Sequence, residues 1–262
     1  MLADHLEPLR EPRPARRVVI APHADDETLG CGGLLAKYHD ECAVIVLAHV
    51  DDTRAAEFRH AQELLGYPLA YLLDLPDGNV GRDMHSLVGL IDNALRMCKP
   101  HELYLPYPSL HQDHVAAYEA GMRAARLSMT EGHWFPPTVM VYDVNAYDVS
   151  LYPTDLRWNV FESLDEVDID KKVVAASAYR SQQVSGHHPV NRIKECAQAI
   201  GSVRQLAWAE QYALVRFVRG AGAPLVHESS EVAQARVPDD AAQANVVPAQ
   251  ISQNGHIGRV RL

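Results

Sequence analysis

The stretch Arg17–Gly33, "RVVIAPHADDETLGCGG", opens as a β-branched apolar run and closes in a small-residue, helix-like pattern. A short continuous run such as "RVVIA" (17–21) reads as a buried strand, and the residues after it read as a helix leaving its carboxyl end. At the junction, His23 to Glu27 place one imidazole and three carboxylates within five residues. Burying so much charge at a strand end is costly unless something compensates it.

The same alternation continues outward. Further apolar runs are "CAVIVLAHV" (42–50), "PLAYLLDL" (68–75) and "ELYLPY" (102–107). Between them lie "TLGCGGLLAKYHD", "TRAAEFRHAQELLG" and "HSLVGLIDNALRMCKP". Phe58, Ala61, Leu64 and Leu65 fall at helical spacing, and Gly66 is placed as a helix stop. Strand–helix–strand repetition predicts an α/β fold: a Rossmann-like, mostly parallel sheet with helices on both faces. Such sheets bind ligands beyond the carboxyl ends of their strands, near the switch in strand order. The second half is less regular. Helices are expected over 114–129, 168–183 and 191–209, and strands over 138–144, 157–164 and 211–218. The expected organisation is an N-terminal extension (1–16), a single α/β domain (17–218) and a loosely attached tail (219–262), the last poor in aromatics and without sustained period.

Composition narrows the function classes. With 262 residues the chain can bury a substantial core, and 47% hydrophobic with 22% charged residues is ordinary for a soluble globular protein. A formal net charge of -10 argues against nucleic acid as the main partner, which requires a basic face. No apolar run approaches the ~20 residues of a membrane span, and "MLADHLEPLREPRPARR" lacks the apolar core of a secretory signal. Cys31, Cys42, Cys98 and Cys196 contain no Cys-x-x-Cys pair and read as reduced thiols of a cytoplasmic protein.

Two clusters carry chemistry. Residues three apart in a βα turn can point to one side, so His23 and Asp26 can share a divalent cation. In "PSLHQDHVAA", His111 and His114 flank Asp113, again after an apolar run and before a helix. Both clusters therefore belong to the same rim of the sheet. Two nitrogens and one carboxylate oxygen form the three-ligand set that catalytic zinc uses, with a position left for water. A remaining carboxylate could take that water's proton, and a remaining imidazole could stabilise an oxyanion or protonate a leaving amine. Spacing alone does not decide which of Asp25 and Asp26, or which of His111 and His114, binds metal. The glycines of "TLGCGG" suggest a phosphate cradle, but their spacing fits neither Gly-x-Gly-x-x-Gly nor a P-loop, and the adjacent acids would repel phosphate.

"PHADDETLGCGG" resembles the Pro-His-x-Asp-Asp-Glu signature of the PIG-L/LmbE-like family of zinc-dependent deacetylases, which remove acetyl groups from N-acetylglucosamine units. "TRAAEFRHAQELLG" resembles that family's Arg-x-x-Glu helix, "LPDG" (75–78) the segment after its third strand, "HQDH" its His-x-Asp-His, and "AYRSQ" (178–182) a later helix. The resemblance implies one Zn2+ held by His23, Asp26 and His114. It implies Asp25 as general base, His111 as electrophilic or acid partner, Asp113 as the residue orienting a histidine, and Arg54 and Asp77 as sugar contacts. The implied reaction removes an N-acetyl group from an amino-sugar glycoside, glycolipid or glycoconjugate. Alternatives are an amidase on a larger acyl or thiol-glycoside conjugate, and a non-hydrolytic sugar-nucleotide-binding module. The implied partner is a small amino-sugar substrate, with no nucleic acid and no transmembrane segment; a homo-oligomer is left open.

Other residues have plainer readings. Arg54 can equally pair with Glu57 on its own helix, and "PDG" is turn chemistry in its own right. Glu27 reads as support at the helix start. Cys31 reads as a packed thiol, Trp134, Trp158 and Trp208 as core, and His187 and His188 as an exposed pair before a helix.

Overall fold

The strand β1 (Arg17–Ala21) is buried at every position, as an unbroken β-branched run must be when both faces of its sheet are covered. The computed structural model describes residues 13–128, 133–144, 155–183 and 189–219. Of the two units into which the chain divides, Met1–Gly220 contains all the described elements. Residues 1–12 of the expected extension, and the expected tail beyond Arg219, lie outside the described residues.

After β1 come α1 (Asp26–Lys37), β2 (Cys42–Ala48), α2 (Asp52–Leu65), β3 (Leu69–Leu75), α3 (Met84–Cys98), β4 (Glu102–Pro106) and α4 (Gln112–Ala124). They are followed by β5 (Thr138–Tyr142), β6 (Trp158–Leu164), α5 (Glu166–Ala178), α6 (Ile193–Ser202) and β7 (Trp208–Phe217). The sheet order is β3-β2-β1-β4-β5-β7-β6. Its first five strands are parallel neighbours, with Val19 paired to Val44 on one side and Tyr104 on the other. β7 runs antiparallel to both β5 and β6. The chain builds outward from β1 to β3, then returns to lay β4 against β1. That reversal opens a crevice at the carboxyl ends of β1 and β4.

Alternation along β1 and β2 divides the core. Val18, Ile20, Ile45 and Leu47 face Leu87, Ile91 and Leu95 of α3 and Ala117 and Ala120 of α4. Val19, Ala21, Val44 and Val46 face the other layer, formed by α1, α2, α5 and α6. Trp134 and Trp158 pack against the first cluster and Trp208 against the second, as expected. The glycines of "TLGCGG" serve the approach of α1 to the sheet. A Cβ on Gly30 would stand 2.1 Å from the Tyr142 ring, and one on Gly33 2.4 Å from Leu164. They are packed under side chains and offer no cradle. Gly66 stops α2 at φ 90°, where its N–H caps the Gln62 carbonyl.

One expectation is overturned. The helix expected over 191–209 divides: α6 ends at Ser202 and β7 already begins at Trp208. The chain doubles back because the N–H groups of Arg204 and Leu206 both bond the Gly201 carbonyl, and a Cβ at Gly201 would come within 2.9 Å of the Leu206 oxygen. The start of α5 also lies earlier than expected, because Asp165 and Asp168 form a reciprocal cap ahead of the apolar pattern.

Candidate active site

The turn between β1 and α1 aims its acids in different directions. Asp26 enters α1 and is buried. Its Oδ2 accepts the His23 backbone N–H at 2.9 Å and stands 3.2 Å from His23 Nδ1 and 3.3 Å from His114 Nε2. Asp25 sits at φ 149°, ψ -26°, a conformation L-residues rarely adopt, and its carboxylate stands 3.7 Å from the Arg54 guanidinium. Glu27 turns inward, fully buried, and accepts hydrogen bonds from the Thr28 and Tyr179 hydroxyls, both at 2.6 Å.

α4 brings the second cluster to the same rim. His111 is its N-cap, with Nδ1 accepting the Asp113 N–H at 3.2 Å. An accepting Nδ1 leaves the ring proton of a neutral His111 on Nε2. Burial lowers the His111 pKa, and His23 and His114 lower it further. Asp113 is 0% exposed. It accepts the Gly78 N–H at 2.7 Å and the Val80 N–H at 3.0 Å, and its Oδ2 stands 3.1 Å from His23 Nε2. Asp77, in the same turn as Gly78 and 69% exposed, reaches His23 Nε2 at 3.3 Å. The structure thus brings all eight sequence-derived residues together: His23, Asp25, Asp26, Arg54, Asp77, His111, Asp113 and His114. His187 and His188 lie outside the described residues.

The electrostatics follow from four carboxylates meeting three imidazoles. Burial acts against the Asp26 carboxylate, but His114 and His23 outweigh it and hold its pKa below the ordinary carboxylate range. Burial, followed by the charge of Asp26, pushes Asp25 well up, against the pull of Arg54. Burial alone would lower His23, yet Asp26 and Asp113 raise it to about 9.

Two of the separations within the set His23, Asp26 and His114 fit a bound cation, although neither group of residues that could hold a metal among those described includes Asp26. Ligands at about 2.0–2.1 Å in a tetrahedron stand about 3.3 Å from one another. Asp26 Oδ2 stands at that separation from both His23 Nδ1 and His114 Nε2. His23, His111 and His114 each bring a ring nitrogen within 4.8 Å of the others, and a second such group joins His23 to Asp77 and Asp113. In that second group, Asp113 and Asp77 are best placed to accept the His23 Nε2–H, which fixes the tautomer that turns Nδ1 toward Asp26.

Sequence reasoning missed Tyr179. "AYRSQ" was legible only as part of a helix, whereas α5 ends at Ala178 and Tyr179 turns back to Glu27. The ring of Tyr179 also lies 5.9 Å from the Arg54 guanidinium carbon, and Glu57 of α2 binds the Ser181 N–H and hydroxyl at 2.8 and 2.6 Å. Glu57 is therefore engaged with this later segment.

Residues 18–125 match the family described as PIG-L: GlcNAc-PI de-N-acetylase. The chain is 25% identical over 179 residues to YaiS, an uncharacterized deacetylase of Escherichia coli K12, covering 63% of this chain and 90% of that protein. Among solved structures it is similar to the conserved protein TT1542 of Thermus thermophilus (26% identity, TM-score 0.64, 80% of this chain and 100% of that one). The fold is shared with the N,N'-diacetylchitobiose deacetylase of Pyrococcus horikoshii (16%, TM-score 0.58, 80% and 87%). It is also shared with GalB, the 4-carboxy-2-hydroxymuconate hydratase of Pseudomonas putida (19%, TM-score 0.62, 80% and 99%). The last likeness is one of architecture, and the chemistry has to be argued from the site.

Proposed function

Because the chain carries a PIG-L (LmbE-like) deacetylase family domain, we propose that it is a zinc-dependent N-deacetylase of N-acetylglucosamine-type sugars. The enzyme class is N-deacetylase and the substrate class acetylated sugars. The observation that carries it is the convergence of His23 Nδ1 and His114 Nε2 on one Asp26 oxygen, at 3.2 and 3.3 Å, beside a half-buried second carboxylate, Asp25.

In this reading His23, Asp26 and His114 hold the cation. When bound, it supplies a Lewis acid that polarises the amide carbonyl and acidifies a water. Asp25 takes a proton from the attacking water, and its burial keeps that carboxylate basic enough for the task. His111 directs Nε2–H at the carbonyl oxygen as negative charge develops there. The proton gathered on Asp25 then passes to the sugar nitrogen as the C–N bond breaks, because an unprotonated amine is a poor leaving group. The products are acetate and the free amino sugar. Arg54 orients Asp25 and, with the exposed Asp77, forms the wall that meets the sugar. Four cysteines, all free, are compatible with a reducing, cytoplasmic setting. Among the described residues no helix is long and apolar enough to cross a membrane.

The test is acetate release from a panel of N-acetylglucosamine glycosides, with longer acyl amides alongside. The zinc-loaded protein is expected to release acetate from at least one glycoside, and Asp26→Ala to lose bound metal together with turnover. Turnover confined to the longer amides would replace this reading with that of a broader amidase. Absence of any hydrolysis with one equivalent of zinc bound would overturn it.

A further inference from the structure

Asp25 is held in its unusual backbone conformation from outside its own turn. Its N–H donates to Glu27 Oε2 at 3.0 Å, while Glu27 Oε1 accepts the Thr28 and Tyr179 hydroxyls. Three donors converge on a carboxylate that is fully buried, and one of them comes from residue 179, far along the chain. Tyr179 is itself fully buried and cannot swing into solvent. The segment after it is fastened to α2 through Ser181 and Glu57. α2 carries Arg54 one turn before Glu57, and Arg54 faces Asp25 on one side and the Tyr179 ring on the other. Backbone and carboxylate of Asp25 are thus gripped by one connected set of groups, fixed at its far end by residues 179–181.

We propose that Glu27 and Tyr179 are positioning residues for the reaction, holding Asp25 at positive φ so that its carboxylate faces the reacting water and stays off the cation. A non-glycine residue at φ 149° is strained and persists only when its surroundings enforce it. Without the Glu27 acceptor the Asp25 N–H is unpaired, and the turn is released to a conformation with negative φ. The carboxylate then swings by more than the roughly 1 Å that is enough to cost about 100-fold in rate. Tyr179 acts through Glu27 by fixing the rotamer of its carboxylate.

The inference rests on the reading of Asp25 as the base, so its test has a readout independent of turnover. Glu27→Ala, Glu27→Gln and Tyr179→Phe are compared with the parent for kcat, KM, bound zinc and the crystallographic φ of Asp25. Glu27→Ala is expected to lower kcat about 100-fold, and Tyr179→Phe about tenfold, with KM and one equivalent of zinc retained. Glu27→Gln keeps an oxygen for the Asp25 N–H and is expected to restore most of the rate and the positive φ. In Glu27→Ala the φ of Asp25 is expected to become negative. Retention of kcat within twofold in Glu27→Ala, or an unchanged φ, would overturn the proposal. So would parallel loss of zinc and rise in KM, which is the mark of a merely structural role. If Glu27→Ala does not fold, Tyr179→Phe decides: kcat within twofold of the parent would overturn the proposal. If the parent protein hydrolyses no N-acetyl sugar, the functional reading fails, and the φ measurement alone decides whether the brace exists.

Discussion

Asp113 shows how much of this site's geometry depends on a fully buried residue. Backbone N–H groups of Gly78 and Val80 fix its carboxylate, and it in turn takes the outward nitrogen of His23. A histidine fixed this way presents Nδ1 in one orientation and with raised basicity. Asp113→Asn sets an amide N–H against one of these donors, so it is expected to weaken zinc binding about 10–100-fold, measured by competition with a chromogenic chelator. Unchanged affinity would mean that His23 is oriented by something else. At this scale the sequence announced the side chains that the structure brings together, since one imidazole and three acids in five residues are hard to explain without a site. What it could not announce was the division of labour among Asp25, Asp26 and Glu27. In the proposed account that division depends on the positive φ at Asp25, braced through Glu27 from Tyr179, and no local pattern encodes a contact between residues so far apart in the chain.

Among the elements, the parallel core strands and the helices up to α4 were legible because each has its own period and its own stop, Gly66 being the plainest. β7 was not legible at its start. "RQLAWAEQYALV" continues a helical pattern, and only the tight reversal on Gly201 separates α6 from β7. A buried ion pair also ties these later elements to the earlier ones. Lys172 Nζ on α5 meets Glu210 Oε1 on β7 at 2.6 Å. The same carboxylate accepts the Gly33 and Leu34 N–H groups of α1 and the Tyr212 hydroxyl. Removing one partner of such a pair leaves a charge uncompensated in the core. Lys172→Met is expected to destabilise the protein by about 3–5 kcal/mol, seen as a lower urea midpoint at unchanged m-value. A loss below about 1 kcal/mol would show that Glu210 is satisfied by its other donors alone.

For the molecule as a whole, the order of strands decides where chemistry can occur. β4 returns to β1 only after β2 and β3 have been laid down on its other side, and the two charged turns then share one crevice. The same architecture occurs in a sugar deacetylase and in a hydratase, so it supplies the rim and not the reaction. In the proposed reaction, one buried acid is committed to the cation and one is kept apart from it. The most direct test of that division is zinc content and acetate release measured on a single preparation of Asp25→Asn. The account predicts one equivalent of zinc, bound as tightly as by the parent, with acetate release down by at least about 100-fold through loss of the general base. Full activity in that variant, or loss of its zinc, would contradict the assignment of Asp25 as base and Asp26 as ligand.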